Sequence, residues 1–145
     1  MSFLEILGLF KQGKGTVKSH LKNLIEMALA DGQFIEVENE LLLSIAKKNG
    51  FSESRLLELR NNTEAVKFEL PEDARLRFEQ FYDLINMMSI DSLIHTEEMK
   101  LCNLFAIKFG YPRAHVQTLI DSILSCIEYK RSADETMDRV MRLIV

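Results

Sequence analysis

Tryptophan is absent, and proline (two residues) and glycine (six) are scarce for a chain of 145. Few prolines and glycines leave few places for tight turns, which disfavours a turn-rich β architecture and predicts helices throughout. Cysteine is as sparse. Cys102 and Cys126 are the only two, with no Cys-x-x-Cys pair and no histidine nearby at zinc-ligand spacing. Each lies in an apolar context, so two reduced core thiols are expected rather than a disulfide. No stretch approaches the roughly 20 apolar residues needed to span a bilayer. Residues 3–10 are apolar but have neither a basic residue ahead of them nor a small-residue cleavage site behind, which argues against a secretory leader and for a cytoplasmic setting. A net charge of −4 gives no general basic face for nucleic acid. A Gly-rich phosphate loop, a nucleophile motif and a histidine pair are all missing, so no enzyme is expected.

What is present is a repeat. Residues 24–53, moved along by 60, fall on residues 84–113 without a gap, and nine of the thirty pairs are identical. The identities are Leu24/Leu84, Ile25/Ile85, Met27/Met87, Asp31/Asp91, Glu38/Glu98, Leu41/Leu101, Ala46/Ala106, Lys48/Lys108 and Gly50/Gly110. The apolar pairs recur at helical spacing and specify a core. The two carboxylate pairs are not needed for one, and they mark the candidate site.

Charge is unevenly spread around that site. Residues 1–23 carry Lys11, Lys14, Lys18 and Lys22 against the single acid Glu5, whereas residues 26–40 carry Glu26, Asp31, Glu36, Glu38 and Glu40 and no basic residue.

The predicted elements are a short helix over 3–11 with Phe3, Ile6, Leu7 and Phe10 on one face, a break at Gly13 and Gly15, and a helix over 16–30 with Val17, Leu21, Leu24, Ile25 and Ala28 inward. A turn at Asp31-Gly32 leads to a helix over 36–49, with Val37, Leu41, Ser44, Ile45 and Lys48 along one edge and Leu42 and Leu43 widening the apolar side. Gly50 stops it, and Ser52 starts another helix to about residue 60. Residues 61–70 are a polar connector. Pro71-Glu72-Asp73 opens the longest helix, to about residue 90, with proline in its first turn. A turn at Asp91-Ser92, a helix over 96–109, a stop at Gly110, a start at Pro112, a helix over 113–129 and a last one over 133–144 complete the chain. The expected fold is an all-α, single-domain bundle of about seven to eight helices, residues 1–145. It is built from two pseudo-twofold-related repeats over about 16–60 and 72–129, each too small to bury its own apolar face.

At the site, the first copy reads Asp31-Gly32-Gln33-Phe34-Ile35-Glu36-Val37-Glu38 and the second Asp91-Ser92-Leu93-Ile94-His95-Thr96-Glu97-Glu98. Asp31, Glu38, Asp91 and Glu98 would offer hard oxygen ligands suited to Ca²⁺ or Mg²⁺. The competing account is structural: a glutamate at the third helical position reaches back to free backbone N–H groups, and an aspartate satisfies turn amides by itself. An EF-hand is excluded, because Asp to Glu spans eight positions here with Phe34 and Ile35 between. His95 completes an Asp-x₃-His-x₂-Glu cluster that zinc could use, but an exposed histidine at a helix start explains it more simply. His20 and His115 show no partners.

The pattern of apolar helix, Ala30-Asp31-Gly32, Glu38, apolar helix and Gly50 resembles the TerB-like family over about residues 16–129. That family includes bacterial tellurite-resistance proteins and a domain preceding the J-domain of the membrane co-chaperone DjlA. The resemblance implies a duplicated helical bundle, a bacterial cytoplasmic or membrane-peripheral setting, and a role in stress response or partner assembly. It also implies metal binding by acidic turn residues, which here are Asp31, Glu38, Asp91 and Glu98. This chain departs from the family pattern at Ile35, where a polar residue is common, and at Ser92, which replaces the turn glycine.

The expected function is therefore binding without catalysis, of a divalent cation or a protein partner, through the repeated acidic turns. The alternative is a metal-free adaptor that docks to a membrane surface or a protein through residues 1–22, an apolar segment with a basic collar. The seven methionines, at helical core spacing, are expected to fill the interior.

Overall fold

A computed structural model describes residues 3–31, 35–61, 70–89 and 96–143. Among the described residues the protein is all-α, with eight α-helices, two short 3₁₀ turns and no strand. The contacts divide the chain into two compact units, residues 1–69 and 70–145. The division falls within the expected connector, of which residues 62–69 lie outside the described residues.

The first unit holds α1 (Phe3–Lys11), α2 (Val17–Asp31), α3 (Glu36–Lys48) and α4 (Glu53–Asn61). Helix α2 is its axis: α1, α3 and α4 all pack on it, and α3 also meets α4. The reason is in the sequence, since α2 buries Leu21, Leu24, Ile25, Met27, Ala28 and Leu29, an apolar stripe wide enough to serve three neighbours. Helix α1 contributes Phe3, Ile6 and Leu7, and α4 contributes Leu56. Helix α3 is rotated from the predicted face. It buries Leu42, Ile45 and Ala46, whereas Val37 is 71% exposed and Ser44 and Lys48 also face solvent. With three consecutive leucines at 41–43, the pattern allowed two faces, and burying Leu42 keeps the polar Ser44 and Lys48 in water.

The second unit holds α5 (Ala74–Met88), α6 (Thr96–Lys108), α7 (Val116–Glu128) and α8 (Ala133–Val140), with 3₁₀ turns at Arg113–His115 and Met141–Leu143. Helix α5 packs on α6, α7 and α8, burying Phe78, Phe81, Leu84, Ile85, Met87 and Met88. It starts later than predicted. Asp73 is the cap, accepting from the Leu76 N–H at 2.9 Å, and Pro71 lies ahead of the helix rather than in its first turn. Arg77 fixes that approach by donating to the Pro71 and Glu72 carbonyls at 3.0 and 3.1 Å. The predicted helix over 113–129 resolves into the first 3₁₀ turn followed by α7. Tyr82 donates to the Arg131 carbonyl at 2.7 Å, and Arg75 pairs with Asp134 at 2.8 Å, joining α5 to the α7–α8 region. Both cysteines are free and buried. Burial, with a smaller contribution from the charge of Glu98, pushes the Cys102 thiol up to about 12, which leaves it an inert core group.

Two local features recur at the repeat distance. Helices α3 and α6 are each 13 residues long and begin and end 60 residues apart. Both also stop in the same way. In the first, Gly50 at φ 75° donates to the Lys47 carbonyl at 3.1 Å and Phe51 to that of Ala46 at 3.0 Å. In the second, Gly110 at φ 92° donates to Ile107 at 3.0 Å and Tyr111 to Ala106 at 3.1 Å. This is the Schellman closure, and the left-handed backbone it demands is why glycine stands at both positions.

Candidate functional site

Asp31 is the last residue of α2, and Glu38 occupies the third position of α3. The side chain of Asp31 lies outside the described residues, as do Asp91, Ser92 and His95 altogether. Of the four expected carboxylates, the structure thus describes Glu38 and Glu98, which hold the same third position in helices of equal length.

Glu38 has a definite local task. Its Oε1 accepts from the backbone N–H of Ile35 at 3.0 Å. Ile35 is extended (φ −71°, ψ 167°) and caps α3 without a side-chain acceptor. The arrangement is therefore half of a capping box: the glutamate reaches back, but isoleucine has no oxygen to reach forward. Glu36 and Glu38 both sit in the first turn, where the helix dipole favours negative charge. Glu98 lies partly buried one turn from Cys102, near enough that its charge helps to raise that thiol.

The start of α3 also carries what a cap does not need. Ile35 is 63% exposed and Val37 71%. They alternate with Glu36, Glu38 and Glu40, of which Glu36 and Glu40 are exposed and Glu38 is half-buried. This end of the first unit is a small acidic and apolar tip. Among the described residues, no group of three or more His, Cys, Asp or Glu side chains is placed to hold a metal ion.

A second repeated feature escaped the sequence reading. His20 on α2 and Gln80 on α5 are both buried, 3% and 7% exposed, and stand 60 residues apart. The His20 Nδ1 and the Gln80 Oε1 have no hydrogen-bond partner among the described residues. The signal was available, because extending the 60-residue alignment four positions upstream of Leu24/Leu84 pairs the two. They are not identical residues, and a histidine one place from Leu21 does not look different from a surface histidine in sequence alone. A buried polar atom without a partner costs about 1–3 kcal/mol, so among the described residues the central helix of each unit carries such a costly position, and the two pair in the 60-residue alignment.

His20 belongs to the junction of α1 and α2. Phe10, in the last turn of α1, meets the imidazole edge-on at 6.2 Å between ring centroids. Gly15 (φ 81°) approaches the same ring closely: a β-carbon there would lie 3.0 Å from His20 Cε1 and 2.9 Å from Ser19 Oγ. Lys11, Lys14, Lys18 and Lys22 are all exposed around this junction. No helix among the described residues is long and apolar enough to cross a membrane. Compared with family models, with curated proteins and with solved structures, the chain finds no match.

Proposed function

We propose that the protein works by binding rather than catalysis, as a TerB-like component of a bacterial stress response, and that a protein partner docks on the acidic, apolar tip at the start of α3. The observation that carries this reading is the exposure of Ile35 and Val37, 63% and 71%, within a run of glutamates. Neither side chain contributes to the core, and each offers roughly 1.5–3 kcal/mol on burial. A complementary partner presents an apolar pocket rimmed by Lys or Arg. A divalent cation, Ca²⁺ or Mg²⁺, held within one turn by Asp31 and Glu38 or by Asp91 and Glu98 is the other form of this reading, supported by the oxygen chemistry of the four residues.

Two variants test it. Ile35→Ser with Val37→Ser removes exposed apolar surface and gives α3 the cap oxygen that isoleucine lacks, so the protein should be about 0.5–2 kcal/mol more stable while capture of the partner from cells is lost. Unchanged capture would remove the tip from consideration. Calorimetric titration of chelator-treated protein with Ca²⁺, Mg²⁺ and Zn²⁺, alongside Asp31→Asn/Glu38→Gln, tests the cation. Heat that disappears in a folded variant supports it, and no heat with any ion leaves Glu38 as a cap alone.

A second reading has its own observation. Around α1 the protein exposes Leu4 (60%) together with Lys11, Lys14, Lys18 and Lys22. An apolar helix with a basic collar suits an anionic membrane surface. The expected result is salt-sensitive binding to vesicles of phosphatidylcholine with phosphatidylserine and none to phosphatidylcholine alone.

A further inference from the structure

Membrane docking through α1 meets a structural obstacle: the face that would enter lipid, Phe3, Ile6 and Leu7, is buried in the first unit, where α1 packs on α2. We infer that α1 is a hinged strap whose apolar face is exchanged between α2 in the free protein and an anionic bilayer in the bound one. The inference rests on the second reading above.

Three observations point to a strap. The first is that α1 and α2 are each closed locally. Helix α1 ends in its own Schellman closure, with Gly13 (φ 70°) donating to Phe10 at 3.0 Å and Lys14 to Leu9 at 2.9 Å. Helix α2 begins with its own reciprocal cap: the Ser19 N–H donates to Thr16 Oγ1 at 3.1 Å, and the Thr16 N–H to Ser19 Oγ at 2.9 Å. Neither helix needs the other for its free backbone groups, and Gly15 (φ 81°) joins them as a ready hinge. The second is the joint itself. At the end of α1 nearest the hinge, Phe10 covers His20, whose Nδ1 has no partner among the described residues. The closed state leaves that nitrogen dry, and opening returns it to water. The third is the collar. Lys11, Lys14, Lys18 and Lys22 are exposed on both sides of the hinge, and Glu5 is the only acid among residues 1–23. Lys18 lies over the Phe51 ring at 5.9 Å and Lys22 pairs with Glu26 at 4.0 Å, weak surface contacts that a membrane surface can displace. A nine-residue helix is also too short to hold its shape alone, so α1 is expected to be helical only when docked on one surface or the other.

Hydrogen exchange on the full chain, with and without vesicles, tests the inference. In the free protein, α1 amides should exchange about tenfold or more faster than those of α2, by local opening that denaturant barely accelerates. With anionic vesicles, α1 should remain protected while His20 becomes open to acylation by diethyl pyrocarbonate, read peptide by peptide against His115. Gly15→Ala, which crowds Ser19 and His20, should raise vesicle affinity several-fold; should it fail to fold, His20→Ala removes the α2 side of the same joint, leaves the apolar face of α1 intact and should raise the affinity likewise. Vesicle binding with His20 still shielded would overturn the strap while leaving membrane docking intact. No vesicle binding by wild type or variants would overturn both. Exchange of α1 and α2 together at the global rate would overturn the strap alone.

Discussion

Helices α3 and α6 share length, register and closing motif, yet they end in different surroundings. After α3, the cap is Asn49, which turns its Nδ2 back onto the Ile45 carbonyl at 2.8 Å, and the next residues, Gly50 and Phe51, are exposed and half-buried. After α6, the corresponding residue is Phe109, 1% exposed, packed with Phe81 and Tyr111 at 5.3 Å and 6.4 Å. One backbone solution thus serves a polar end in the first unit and an aromatic cluster in the second. The Schellman closure depends on glycine's freedom and on two hydrogen bonds, so it tolerates any side chain at the cap. What the cap then contributes to stability depends on its neighbours.

Substitution at the two caps should separate these contributions. Phe109→Ala should cost about 3–5 kcal/mol, because it opens a cavity among Phe81 and Tyr111, whereas Asn49→Ala should cost about 1 kcal/mol for one lost hydrogen bond. Equal costs by denaturant titration would show that the two ends are energetically alike. Gly50→Ala and Gly110→Ala should behave as a matched pair. A β-carbon meets nothing within 4 Å at either position, so only the positive φ opposes it, at about 1–2 kcal/mol each. The closure after α7, which has no glycine, sharpens the rule. Lys130 takes the left-handed conformation there (φ 57°) and donates to Ile127 at 2.9 Å, while Arg131 donates to Cys126 at 2.9 Å. Lys130→Gly should therefore stabilise the protein by about 1 kcal/mol. Glu38→Gln keeps a side-chain acceptor but removes charge from the first turn of α3, and should cost about 0.3–1 kcal/mol, measured as a shift in thermal midpoint.

The aromatic and thiol burial of the second unit adds a pH dependence. Burial pushes Cys102 and the Tyr111 phenol each up to about 12 in the folded protein. An unfolded thiol ionises near its ordinary value of about 8.5, so the unfolded chain releases its proton first. Stability is complete below that value and falls as pH rises towards about 12. The thermal midpoint should drop above about pH 9, less steeply in Cys102→Ala, and Cys102 should resist thiol reagents until the chain unfolds.

Much of this architecture was legible in order along the chain. The bounds of α1 match the predicted 3–11, and the stops at Gly50 and Gly110 fall where glycine follows an apolar helix. Prediction weakened where more than one residue could do the same task. Pro71 marked the approach to α5, but Asp73 had the side-chain oxygen and became the cap. Leu41, Leu42 and Leu43 all offered an apolar contact, and Leu42 was the one buried. At the candidate site the sequence held both a metal reading and a capping reading of Glu38, and the hydrogen bond to Ile35 assigns Oε1 to the cap. The other acids of the first copy and its counterpart, Asp31 by its side chain and Asp91 entirely, lie outside the described residues.

By itself the sequence determined the all-helical class, the 60-residue recurrence and the places where helices stop, because periodicity, glycine freedom and side-chain caps act within a few residues of chain. Only the tertiary structure decided which face of α3 turned inward, that Ile35 and Val37 stayed in water, and that His20 and Gln80 became buried polar residues. Burial is a property of what arrives from elsewhere in the chain, and no local pattern records it.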